Sequence, residues 1–189
     1  MPLSQNESST HPQDFFTSSY AGNYVGSHGS SYDQSAKGGF LARLCFRLAA
    51  KMLPDTEGGL ALPRRGCARL LRWSAQLGNV PAMRLLGFLL CQHGACRKDK
   101  RQGVEYLQSA AKEHDLDAQY SLARLYRHGV DYMKKDERLS LKWISLAAEG
   151  GHPDAQRDLA DAYLKGELGL PKNPSKAAAL TRKIEQAVA

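Results

Sequence analysis

Few residue spacings in this chain could carry chemistry. Cys91-x-His93-x-x-Cys96 brings three metal-binding side chains close together, and His128 would offer a fourth. Structural zinc takes four such ligands in a tetrahedron. Glu149, His152 and Asp154 form one acid–base group, and His114, Asp115 and Asp117 another. Serine or cysteine nucleophiles with a base at a recognised spacing are missing, and Gly150-Gly151 reads as a turn rather than a phosphate-cradling loop. Arginines supply the remaining chemistry. Arg43, Arg47 and Lys51 stand four apart, and Arg65, Arg69 and Arg72 form a second row. Guanidinium rows of this kind take carboxylates or phosphates through paired hydrogen bonds.

The elements that hold these residues follow an internal repeat. Lys98-Asp99, Lys135-Asp136 and Lys172-Asn173 recur 37 residues apart. Ala110-Ala111 returns at Ala147-Ala148, Asp117-Ala118-Gln119 at Asp154-Ala155-Gln156, and Leu122, Ala123, Tyr126 and Gly129 at Leu159, Ala160, Tyr163 and Gly166. A looser copy precedes them at Ala75, Ala82, Leu86 and Gly87. A fixed period in this range marks stacked supersecondary units. Apolar residues spaced three and four apart make the units helical. Four helical hairpins are predicted, near 39–78, 79–115, 116–152 and 153–189. Asp99, Asp136 and Asn173 are expected at second-helix N-caps, with Leu62-Pro63 at the equivalent place in the first unit. The stripe Phe40, Leu44, Leu48 and Met52 is expected to be a core face. Polar Lys183, Glu185 and Gln186 suit a terminal unit.

The repeat also reassigns the candidate chemistry. His93-Gly94 and His128-Gly129 each end a first helix, where imidazole meets the carbonyl end and glycine closes it. That makes a metal site the weaker reading. The acid–base groups fall at inter-unit turns and are expected to be solvated. The expectation is therefore no metal, no cofactor and no enzyme.

Composition bounds the rest. No apolar run approaches the ~18–20 residues of a membrane-spanning helix, and a secretory signal pattern is absent from the N-terminal segment. Residues 1–38 are rich in Ser, Gly, Asn, Gln and Tyr and are expected to be a disordered tail. A non-cleaved export signal or a partner-binding segment is the alternative. The four cysteines ignore the repeat and read as reduced, which suits a cytoplasmic setting. The net charge of +7 is uneven: residues 39–101 hold twelve basic and three acidic groups, while residues 102–189 balance.

Residues 117–150 resemble the Sel-one-like repeat family, relatives of tetratricopeptide repeats with a longer inter-helix loop. The resemblance rests on Asp117-Ala118-Gln119, Leu122-Ala123, Tyr126, Gly129, Asp136, Trp143 and Ala147-Ala148-Glu149-Gly150. The fourth unit matches at Gly166, Pro171-Lys172-Asn173-Pro174 and Lys176-Ala177, and the first two units match more loosely. It implies an all-α, right-handed α-solenoid over about 39–189 with a concave protein-binding surface. Bacterial adaptors in regulation, secretion or toxin neutralisation are built this way, and the resemblance brings no catalytic residues.

Two surfaces are then candidates for partner binding. Tyr120, Arg124 and Arg127 share a helical face outside the apolar stripe, with equivalents at Arg84 and Phe88 and at Arg157 and Asp161. This mixture suits an interface hot spot, or is plain solvated surface. The basic patch of Arg43, Arg47, Lys51, Arg65, Arg69 and Arg72 can be continuous across the outer end of the solenoid. It suits an acidic protein surface. Nucleic acid or an anionic membrane is the alternative partner, and a charged solubilising face is the bland one.

Overall fold

The computed structural model describes residues 39–52, 65–129 and 133–188; residues 1–38, the expected tail, and 53–64, with Leu62 and Pro63, lie outside it. Eight helices occur among the described residues: α1 Phe40–Met52, α2 Arg65–Gln76, α3 Val80–His93, α4 Arg97–Lys112, α5 Leu116–His128, α6 Glu137–Glu149, α7 Pro153–Lys165 and α8 Pro174–Val188. Each packs on its neighbours in sequence, and α3 also touches α5. The chain is an α-solenoid of four antiparallel hairpins.

Small residues sit where the two helices of a hairpin meet. In the second unit Gly87 faces Gly103, and a Cβ on Gly87 would lie 2.8 Å from the Gly103 carbonyl and 2.9 Å from Leu107 Cγ. The register equivalents in the third unit are Ala123 and Ser140, joined by a bond from Ser140 Oγ to the Ala123 carbonyl at 2.8 Å. The fourth unit has buried Ala160 and Ala177. In the first, Cys67 Sγ donates to the Ala49 carbonyl at 3.2 Å. One small pair per unit brings the axes close enough for flanking leucines to interlock.

The Asp-Ala-Gln repeat ties unit to unit. Gln119 Nε2 donates to the Ala111 carbonyl at 3.1 Å, and Gln156 Nε2 to the Ala148 carbonyl at 3.0 Å. Each glutamine adds a second donor to a carbonyl in the last turn of the preceding second helix, which otherwise accepts only from the following turn, His114 N–H on Ala111 and Gly151 N–H on Ala148. The long loops also match: Asp136 N–H donates to the Tyr126 carbonyl and Asn173 N–H to the Tyr163 carbonyl, at 2.9 and 2.8 Å. Gly129 and Gly166 open these loops at φ +67° and +74°, where a side chain would strain the backbone.

Two sequence expectations fail at element ends. Asp136 and Asn173 do cap α6 and α8, accepting from Leu139 N–H and Lys176 N–H. Asp99 does not cap α4: it lies inside the first turn, and Cys96 holds the N-cap position. The second unit joins its helices through Gly94–Cys96 alone, so α4 begins three residues early. Gly94 permits this at an ordinary φ of −57°, because a Cβ there would strike the Leu90 carbonyl. The stripe on α1 is also reversed. Ala42 and Ala49 are fully buried, whereas Phe40 and Leu48 are 77% and 47% exposed and Leu44 is exposed as well.

Candidate protein-interaction surface

The first helices α3, α5 and α7 lie side by side, joined by one polar seam. Their N-caps come from register positions Asn79, Asp115 and His152, which accept from Ala82 N–H, Ala118 N–H and Ala155 N–H at 2.9, 2.9 and 3.2 Å. Arg84 on α3 reaches into α5, with Nη1 bonded to Asp117 Oδ2 and 3.5 Å from Asp115 Oδ2. The other oxygen of Asp117 lies 3.3 Å from His152 Nε2 at the start of α7. With Nδ1 accepting from Ala155 N–H, Nε2 is the ring nitrogen that faces Asp117. Its ring stacks on Tyr120 at 4.7 Å between centroids. Tyr120 Oη then donates to Asp158 Oδ2 at 3.1 Å, and Arg127 bridges Asp158 and Glu167.

Burial sets the electrostatics of this seam. It raises the Asp115 carboxyl above its usual range, against the pull of Arg84 and the Ala118 N–H. It also raises the Tyr120 phenol, aided by Asp158. His128, at the end of α5, is lowered by burial and then by Arg127. The expectation of solvated turns is therefore wrong for His152 and Asp115, because adjacent units close over those turns.

The same lateral packing sorts the predicted face. Arg84, Phe88, Tyr120 and Arg124 are buried in the seam, Arg127 is half-buried, and Arg157 and Asp161 are exposed. Phe88 joins Tyr120 in a core cluster that runs into α7, and the Arg124 guanidinium lies 5.9 Å from the centre of the Tyr120 ring. These positions lie outside the stripe of a single helix but between the helices of a stack. Sequence reasoning missed their partners Asp158 and Glu167, which have no repeat equivalent; Asp117 and His152 were noticed, but as turn residues. At the loop end of the face a 450 Å³ cavity is lined by Arg127, His128, Lys135, Glu137 and Glu167 around Gly166–Gly169. Lys135 pairs with Glu137 at 2.7 Å, so the lining is charge-compensated.

The predicted basic patch is divided. Arg43, Arg47, Arg69 and Arg72 are exposed; the side chains of Lys51 and Arg65 lie outside the described part. Arg47 sits two residues before the α2-facing Ala49, and Arg69 and Arg72 lie two residues from the α1-facing Cys67 and Ser74. Two residues are about 200° of helix. Arg47 therefore points away from α2, and Arg69 and Arg72 away from α1, so one continuous patch is not formed. At the other predicted site, Cys91 Sγ donates to the Lys100 carbonyl at 3.8 Å, and His93 is half-buried at the end of α3.

Residues 80–115, 116–152 and 153–184 each match the Sel1 repeat model, and these spans coincide with the second, third and fourth hairpins. The chain belongs to the Sel1 repeat family. As a Sel1 repeat protein it is a helical-repeat scaffold of the kind that generally binds other proteins. Its fold is similar to that of a Sel1 repeat protein from Oxalobacter formigenes (TM-score 0.65, 21% identity, 77% of this chain covered). It is also similar to a protective antigen of uropathogenic Escherichia coli with an SLR fold (TM-score 0.66, 26% identity, 78% covered). The chain spans 58% and 31% of the lengths of those two proteins. No curated protein matches it significantly in sequence.

Proposed function

We propose that this Sel1 repeat protein is a non-enzymatic cytoplasmic adaptor that holds one protein or peptide partner along the face of α3, α5 and α7. The observation that carries this reading is the seam itself. Arg84, Asp117, His152, Tyr120 and Asp158 lock three first helices into one rigid surface, so that binding does not have to order them. The contact residues at its edge are Arg127, Arg157 and Asp161. The buried members of the predicted set, Arg84, Phe88, Tyr120 and Arg124, shape the face without touching the partner. Exposed Arg157 at this edge favours an acidic partner segment.

A photo-crosslinking amino acid at Asp161, on α7, tests this reading against the same probe at Arg138, on the second helix α6. Both positions are exposed. The Asp161 probe should trap one acidic protein in cells, and Arg157→Glu should weaken that capture. Equal trapping from Arg138 would place binding on the opposite face and refute the assignment.

A further inference from the structure

The α1–α2 hairpin carries a second surface that the first-helix face leaves unused. Ala42 and Ala49 face α2, their carbonyls accepting from Ser74 Oγ at 2.7 Å and Cys67 Sγ at 3.2 Å. About 100° of helix separates successive residues. Ala75, just after the contact residue Ser74, is buried against α3, so that flank of the hairpin faces the body. The residues just before the contacts lie on the other flank: Leu41 and Leu48 on α1 and Trp73 on α2. Leu41 is 66% exposed and Trp73 65%. Exposed Phe40, Leu44 and Leu77 widen this strip. Arg47 borders it on the α1 side, and Arg69 and Arg72 border it on the α2 side. Neither Phe40–Met52 nor Arg65–Gln76 contains an acidic residue.

An apolar strip with cations along both edges selects its occupant. A second copy would set arginine against arginine, which like-charge repulsion opposes. Nucleic acid would leave the leucines against phosphate. Two adjacent helix backs form a ridge rather than a cleft, and a fluid interface moulds itself to a ridge. We propose that this flank docks on an anionic lipid bilayer, with Leu41, Leu48 and Trp73 at the acyl boundary and Arg47, Arg69 and Arg72 on the headgroup phosphates. Arginine stems reach from an apolar surface to the headgroups, and indole rings favour that depth. Attachment is peripheral, since no helix among the described residues is long and apolar enough to cross a membrane.

Flotation of the full chain with vesicles tests the proposal. The chain should float with 3:1 phosphatidylcholine–phosphatidylglycerol and not with phosphatidylcholine alone. Arg47→Gln and Arg69→Gln should each lower the partition coefficient about fivefold, the effect of one basic group at an anionic surface. Leu41→Asp with Leu48→Asp should abolish flotation while leaving the thermal melt unchanged, because both side chains are exposed. In a Trp143→Phe background, brominated lipid should quench Trp73. Three results would overturn the proposal: no flotation with anionic vesicles, flotation that survives the double leucine change, or a two-chain mass by light scattering that falls to one chain in that variant. The crosslinking from Asp161 is unaffected by any of them, so the two readings fail separately.

Discussion

Gly87→Ala has a sign that depends on one feature of the fold. In an exposed helix interior, glycine to alanine stabilises by about 1 kcal/mol, because alanine is the better helix former. At Gly87 the added Cβ would meet the Gly103 carbonyl at 2.8 Å, Leu107 Cγ at 2.9 Å and Leu107 N at 3.0 Å. Two of these atoms are backbone, so no rotamer change relieves them, and α3 and α4 must separate along their whole crossing. Overpacking of a tight core costs typically 1–3 kcal/mol. A three-atom clash belongs at the upper end, which leaves a net loss of about 2 kcal/mol after the propensity gain. For a chain of this size that is a fall in Tm of roughly 4–8 °C, read by circular dichroism at 222 nm. A Tm equal to or above that of the parent chain would mean that the helices do not approach as closely as described, and would refute the small-pair account of the hairpins.

Two further outcomes follow from the seam. Arg84→Ala leaves Asp115 buried without its cation and should cost about 3 kcal/mol in urea unfolding, whereas Arg157→Ala, at an exposed pair with Asp154, should cost under about 0.5 kcal/mol; equal effects would deny the seam its structural role. Asp115→Asn keeps the Oδ1 acceptor for Ala118 N–H and removes the charge. Because burial raises the Asp115 carboxyl above the usual carboxylate range, the folded state holds that proton more tightly than the unfolded state. The parent chain therefore loses stability as pH rises from near 4 through the raised value. The stability of Asp115→Asn relative to the parent should rise between pH 4 and pH 7, and a relative fall would count against the assignment.

Much of the fold was legible from local pattern. The 37-residue echo placed the hairpins of the second to fourth units, and Asp136 and Asn173 marked helix starts correctly, because a cap is a bond between residues three apart. His93-Gly94 and His128-Gly129 marked helix ends for the same reason. Asp99 failed because the second unit shortens its loop, a change that Gly94 permits through space rather than through sequence register. The recurrent Asp-Ala-Gln was visible as a pattern, but its purpose was not. Gln119 and Gln156 bond to carbonyls of the preceding unit, and that partner exists only once the units stack.

The sequence by itself determined that the chain repeats and where most of its helices begin and end. Those properties depend on hydrogen bonds and periodicities that close within a few residues. Only the tertiary structure decided which faces are buried. Tyr120, Arg124 and Arg84 look like surface on an isolated helix and become a seam when α3, α5 and α7 pack laterally. Phe40, Leu44 and Leu48 look like core and stand exposed, because hydrophobic burial needs a neighbour and the outer flank of α1–α2 has none among the described residues. A helix specifies its own apolar positions, but the stack determines what covers them.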